Sequence, residues 1–190
     1  MSTAGPKSSE PYRYRPLFGR VLAVAVAVIC AVGAIGLTVL GDWVNLATTV
    51  WPLLFFGVLV YALFWRPMIS IDDRGLAVVN IFRTVFLPWS ALERIDTRYS
   101  LTLFTPTRKV PVWAAPGPSA RRTTVADRGV GGGPASLRIA DVVDERWDAL
   151  REAGALATTD REAGVTVRVH RVTIAILVAL LVASFISVVA

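Results

Sequence analysis

The chain has 190 residues, 54% hydrophobic and 18% charged, with 20 Lys and Arg against 14 Asp and Glu. A soluble domain carries about 25% charge, so this composition excludes a lone soluble globule, and its apolar content excludes a disordered chain. A single cysteine, Cys30, excludes an intrachain disulfide scaffold. A basic chain this apolar points to a membrane rather than to nucleic acid.

Residues 1–16 read as a flexible tail. The first predicted span covers 17–41, where Val21 to Gly41 is 21 residues without a charge. The second covers 44–65, inside an uncharged run of 23 residues from Trp43 to Trp65. About 20 apolar residues at 1.5 Å rise cross a hydrocarbon core of roughly 30 Å. The short loop at Asp42-Trp43 makes the two spans a helical hairpin. The first apolar run is too long for a signal-peptide core of about 7–15 residues. Ile29 before Cys30 also argues against lipoprotein processing. Trp43 and Trp65 occupy opposite ends of the second span, where interfacial aromatics belong. Pro52 is expected to kink that span or to sit in its first turn. No Asp, Glu, Lys, Arg or His falls in the uncharged runs, so no ion or proton pathway is expected.

Residues 67–113 predict five or six short antiparallel strands. Ile69 and Ile71 alternate with Ser70 and Asp72, and Asp73-Arg74-Gly75 is a turn signal. Leu76 to Asn80 is rich in β-branched residues. Val85, Leu87 and Trp89 share a face, as do Leu101 and Leu103, then Val110 and Val112. Pro88 and Pro111 suggest edges or bulges. The expected outcome is a small barrel or bent sheet.

Residues 114–135, with Pro116-Gly117-Pro118 and Gly129 to Pro134, read as a flexible linker. Its glycines lack the following Lys-Ser/Thr that a phosphate loop needs. Residues 136–154 predict an amphipathic helix, with Ser136 as its cap and Gly154 as its stop. Ile139, Val143, Trp147 and Leu150 form its apolar face, either a core face or a partner-binding one. Residues 155–168 read as a linker, and 169–190 as a third span containing the uncharged run from Val172 to Ala190.

Charge placement sets the expected topology. Lys7, Arg13, Arg15 and Arg20 precede the first uncharged run, and the other 16 basic residues lie between Arg66 and Arg171. All basic residues therefore fall on one side, which the positive-inside rule assigns to the cytoplasm. The expectation is a multi-pass protein of the bacterial plasma membrane. The N-terminus and residues 66–171 are then cytoplasmic, and the C-terminus lies at the outer face.

Strands followed by one helix with a buried Trp follow the plan of a pleckstrin-homology (PH) domain. The sequence resembles the bacterial PH-domain membrane proteins, in particular the low-molecular-weight protein antigen group of high-GC bacteria. The residues carrying the resemblance are Asp73 to Asn80, Arg83-Thr84, Pro88 to Leu92, Tyr99 to Leu103, Val112 to Pro118 and Glu145 to Arg151. The resemblance implies a cytoplasmic PH-like domain beside three transmembrane helices, acting as an interaction module. Many PH domains bind phosphoinositides through a basic loop between their first two strands. Here that place is Asp72-Asp73-Arg74-Gly75, whose two acids disfavour several phosphates.

The residues predict no enzyme. His170 is the single histidine and stands at a membrane boundary. No His, Cys or carboxylate spacing suits a metal, and no cofactor is expected. Arg94, Arg98, Arg108, Lys109, Arg121 and Arg122 are candidate contacts for anionic lipid headgroups. Aromatics do not interleave with them as a nucleic-acid platform requires, so no nucleic-acid partner is expected. The leading expectation is a non-catalytic scaffold or adaptor with a protein partner or a second copy. An anionic-lipid sensor and an accessory subunit of an envelope transport or cell-wall complex are the alternatives.

Overall fold

The computed structural model describes residues 11–117, 135–154, 156 and 164–189. It divides into two compact units, one of Met1–Arg15 with Met68–Arg168 and one of Pro16–Pro67 with Val169–Ala190.

The second unit is helical. Helix α1 runs Leu17–Val39, α2 runs Trp43–Val60, and α4 runs Arg171–Val189. A π turn at Tyr61–Trp65 extends α2, so the apolar helix is continuous over Trp43–Trp65. All three are long and apolar enough to cross a membrane. Asp42 ends the hairpin loop and caps α2, its carboxylate accepting from the Asn45 N–H and side-chain amide. Pro52 lies inside α2 rather than in its first turn. Helix α2 packs on both α1 and α4. Gly19 is buried, and a Cβ there would stand 2.8 Å from the Phe64 carbonyl oxygen, so close helix approach requires glycine. The Ser187 hydroxyl donates to the Thr48 carbonyl at 3.0 Å, and Arg66 donates to the Thr173 hydroxyl. Arg20 lies within α1, whose helix begins before the uncharged run.

Among the described residues there are eight strands, all within the first unit except the last residue of β8. They are β1 (Tyr12–Tyr14), β2 (Met68–Asp72), β3 (Gly75–Val79), β4 (Arg83–Pro88), β5 (Arg94–Asp96), β6 (Ser100–Phe104), β7 (Lys109–Pro116) and β8 (Thr166–Val169). One sheet has the order β1-β2-β3-β4-β8 and the other β5-β6-β7. The arrangement is two small sheets around one core rather than one closed barrel. β7 is an edge, where Pro111 costs no ladder bond on its free side, and β6 carries a register shift between Ser100 and Thr102. Asn80 ties the sheets together. Its side-chain amide donates to the Pro111 carbonyl at 2.8 Å, and its side-chain oxygen accepts the Trp113 N–H at 2.9 Å.

The β2–β3 turn is tight because Asp72 accepts from the backbone N–H of Arg74 and of Gly75. Gly75 has φ 153°, and a Cβ there would meet the Leu87 carbonyl oxygen at 2.1 Å. The core contains Ile69, Ile71, Leu76, Val78, Val85, Leu87, Leu101, Leu103 and Val112, each at most 2% exposed. Each such side chain contributes about 1.5–3 kcal/mol by leaving water.

Helix α3 spans Ala135–Glu152 and packs on β6 and β7. Gly154 follows at φ 67°, the left-handed stop expected there. Ser136 does not lie before the helix. It sits inside the first turn, fully buried, with no hydrogen-bond partner for its hydroxyl among the described residues. Strand β7 continues through Pro116, so the first residues of the expected 114–135 linker belong to a sheet. The remainder of that linker, from residue 118 to 134, lies outside the described residues. Strands β1 and β8 fall in segments that local sequence presented as a tail and a linker.

Candidate functional site

The β-unit presents three surfaces of chemical interest. The first is a groove between the end of β4 and the C-terminal half of α3. A 3-10 turn at Trp89–Ala91 follows β4 and drops the Trp89 ring into the core, where its indole N–H donates to the Asp72 carbonyl at 2.8 Å. Ser90, Glu93 and Leu156 form the rim. Trp147 and Arg151, one helical turn apart on α3, form the opposite wall, with the guanidinium 5.1 Å from the Trp147 ring centroid. The groove measures about 270 Å³ and combines an aromatic floor with one acid and one base.

The apolar face of α3 is divided between two jobs. Ile139 and Val143 are fully buried in the core. Trp147 and Leu150 pack against that core but stay partly exposed. Arg146 reaches the Ile71 carbonyl at 3.0 Å and pins the helix to β2.

The second surface is a basic and aromatic row on the three-stranded sheet. The register places Arg94 opposite Phe104 and Phe104 opposite Lys109. The Arg94 guanidinium lies 4.3 Å from the Phe104 ring centroid and the Lys109 ammonium 5.5 Å from it. Two cations therefore share one ring. Two of the other candidate bases, Arg98 and Arg108, make local contacts beside this row. Arg98 pairs with Asp96 at 3.4 Å. The Arg98 backbone N–H holds the Asp96 carboxyl below the usual carboxylate range; desolvation, next in size, opposes it, and the Arg98 side chain adds a smaller lowering. Arg108 shapes the β6–β7 turn through its backbone, donating to the Thr105 hydroxyl at 3.0 Å. Arg121 and Arg122 lie outside the described residues.

The third surface carries no candidate residue of the sequence analysis. Asn80, Ile81, Phe82, Arg83, Pro111 and Trp113 line a shallow groove of about 390 Å³. Phe82 is 46% exposed and Trp113 55% exposed. Trp113 alternates with the buried Val112 and Ala114 on β7, so its outward position was readable from strand period alone.

The outer face of α3 is acidic. Desolvation, then like charge from Asp148 and Asp141, raises the Asp144 carboxyl above the usual range. Among the described residues no group of three or more His, Cys, Asp or Glu is placed to hold a metal ion.

A family model described as bacterial PH domain matches residues 66–184, more than half of the chain. This chain belongs to the bacterial PH-domain family. The matched stretch of the PH protein begins at Arg66 and reaches into α4, so it takes in β2–β8 and α3 but not β1. No curated protein and no solved structure gave a significant match. It is a membrane protein in which a PH-like domain is joined to three membrane-capable helices.

Proposed function

We propose that this protein is a non-catalytic, membrane-anchored scaffold or adaptor. Its PH domain faces the cytoplasm and binds a protein partner or a second copy of the chain. The observation that carries this reading is the Trp89–Trp147–Arg151 groove. Trp and Arg are the residue types that dominate binding hot spots, and Glu93 opposite Arg151 supports polar selection at the rim. The anchor side is inferred from the one-sided distribution of Lys and Arg. An accessory subunit of an envelope complex is one form this role takes.

The test is photo-crosslinking of the full chain in native membranes, with the probe at Arg151. The reading expects one discrete adduct, lost in Trp147→Ala. A chain that gives no discrete adduct contradicts it.

The Arg94–Phe104–Lys109 row favours a second reading, in which the PH domain docks on anionic lipid. In that case, hydrogen exchange of residues 94–110 slows in nanodiscs of anionic lipid relative to neutral lipid, and salt removes the difference. Equal exchange in both lipids contradicts it.

A further inference from the structure

The helical unit carries a cation whose charge nothing in that unit balances. Arg20 lies near the start of α1, with its guanidinium 4.8 Å from the Trp65 ring centroid. Its Nε is buried and has no hydrogen-bond partner among the described residues. Against the three arginines of the unit, Arg20, Arg66 and Arg171, it contains one acidic side chain, Asp42, which is engaged with Asn45 at the other end of α1. From Arg20 to that end is roughly 30 Å along the helix. The ring supports the guanidinium through its face but takes none of its N–H donors, which lie in the guanidinium plane.

Leu17, Arg20, Val21 and Val24 form one stripe of α1 by their spacing, and with Trp65 they line a groove of about 310 Å³. The groove wall is almost wholly apolar, Arg20 included, so Arg20 lines it through its aliphatic stem and holds its guanidinium at the rim beside Trp65. A cation and an indole at one end, with an apolar strip running into the span, match a phospholipid in charge and polarity. We infer that this groove binds an anionic phospholipid. The phosphodiester accepts from Arg20, and an acyl chain lies along Val21 and Val24. The preference for a net negative headgroup follows from the charges present. The unit offers Arg20 an anion from nowhere else, and it offers no carboxylate near Arg20 to the amine of a zwitterionic lipid. The site lies in the spans and is independent of any ligand of the PH domain.

The test uses the full chain in detergent, with native mass spectrometry after adding phosphatidylglycerol or phosphatidylcholine at equal concentration. The inference expects retention of phosphatidylglycerol over phosphatidylcholine by about fivefold, the value of one basic contact near an anionic headgroup. Arg20→Gln removes the preference, and Arg20→Lys keeps part of it. Val24→Phe fills the groove without touching the charge and lowers retention of the lipid. Arg13→Gln, on strand β1 of the other unit, leaves retention unchanged. Inorganic phosphate at the same concentration does not displace the lipid. Equal retention of the two lipids overturns the inference. So does full retention in both Arg20→Gln and Val24→Phe, or displacement by inorganic phosphate.

Discussion

The two units are built from the same apolar side chains and use them in opposite directions. In the sheets, Ile69, Leu76, Val78 and Leu101 are inside, with none of their surface exposed. In the helices, Ile29, Val28 and Phe185 are outside, at 69%, 55% and 69% exposed, and only scattered small or close-packed positions such as Gly19, Ala23 and Leu177 are buried. The difference lies in the solvent. Water drives apolar groups together, whereas lipid tails are as apolar as leucine and give helices no such drive. Helix contact must then come from close approach and hydrogen bonds, which is where Gly19 against Phe64 and Ser187 against Thr48 stand.

The sharpest way to break this comparison is to make the same truncation in both units. Leu101→Ala is expected to cost the PH domain about 2–5 kcal/mol, through lost burial and a cavity. Val28→Ala, facing outward from α1, is expected to change stability within the bilayer by no more than about 0.5 kcal/mol. Denaturant titration of each variant in nanodiscs separates the two. The reverse substitution probes the helices. Ile29→Arg, near the middle of α1, should lower insertion by about 2.5–3.5 kcal/mol, seen as loss of carbonate-resistant membrane protein. An unchanged membrane fraction would show that α1 does not meet hydrocarbon.

Gly75→Ala isolates a backbone demand in the sheet unit from packing. The added Cβ meets the Leu87 carbonyl and the φ is hostile to it, so a loss of about 2 kcal/mol or more is expected in the same titration. The smallest effect is electrostatic. Because the Asp144 carboxyl is raised in the fold, the native state holds more protons than the unfolded one between the ordinary carboxylate value and the raised one. Its contribution to stability therefore falls as pH rises through that interval. Asp144→Asn should raise the unfolding temperature at neutral pH and leave it unchanged at strongly acidic pH. A variant with the same shift at both pH values would show that desolvation and like charge at Asp144 are not the cause.

The legible parts of the fold were those with a local signature. Three uncharged runs marked the membrane-capable helices, and alternation between turn residues marked β2 to β7. Strands β1 and β8 have three and four residues, and β1 pairs with a strand more than 50 positions away, so no local period reveals them. Ser136 shows the limit of a cap signal, because burial against the sheet took it into the helix. At the candidate sites, the chemistry of Arg94 and Lys109 was readable from residue type. Their shared contact with Phe104 was not, because it depends on strand register. Arg98 was the converse, since Asp96 two positions earlier was already a visible partner. That Phe82 and Trp113 share a groove was not legible, because they come together with Asn80 bonding across residues about 30 positions apart.

The proposed placement of the PH domain on the cytoplasmic side of the membrane is tested most directly by cysteine labelling in intact cells. Two full-length chains in a Cys30→Ser background carry one cysteine each. One is Leu40→Cys at the helical hairpin, 80% exposed, and the other is Tyr99→Cys on the PH domain, 92% exposed. An impermeant maleimide should label Leu40→Cys from outside and Tyr99→Cys only after permeabilisation. Labelling of Tyr99→Cys in intact cells would contradict the claim.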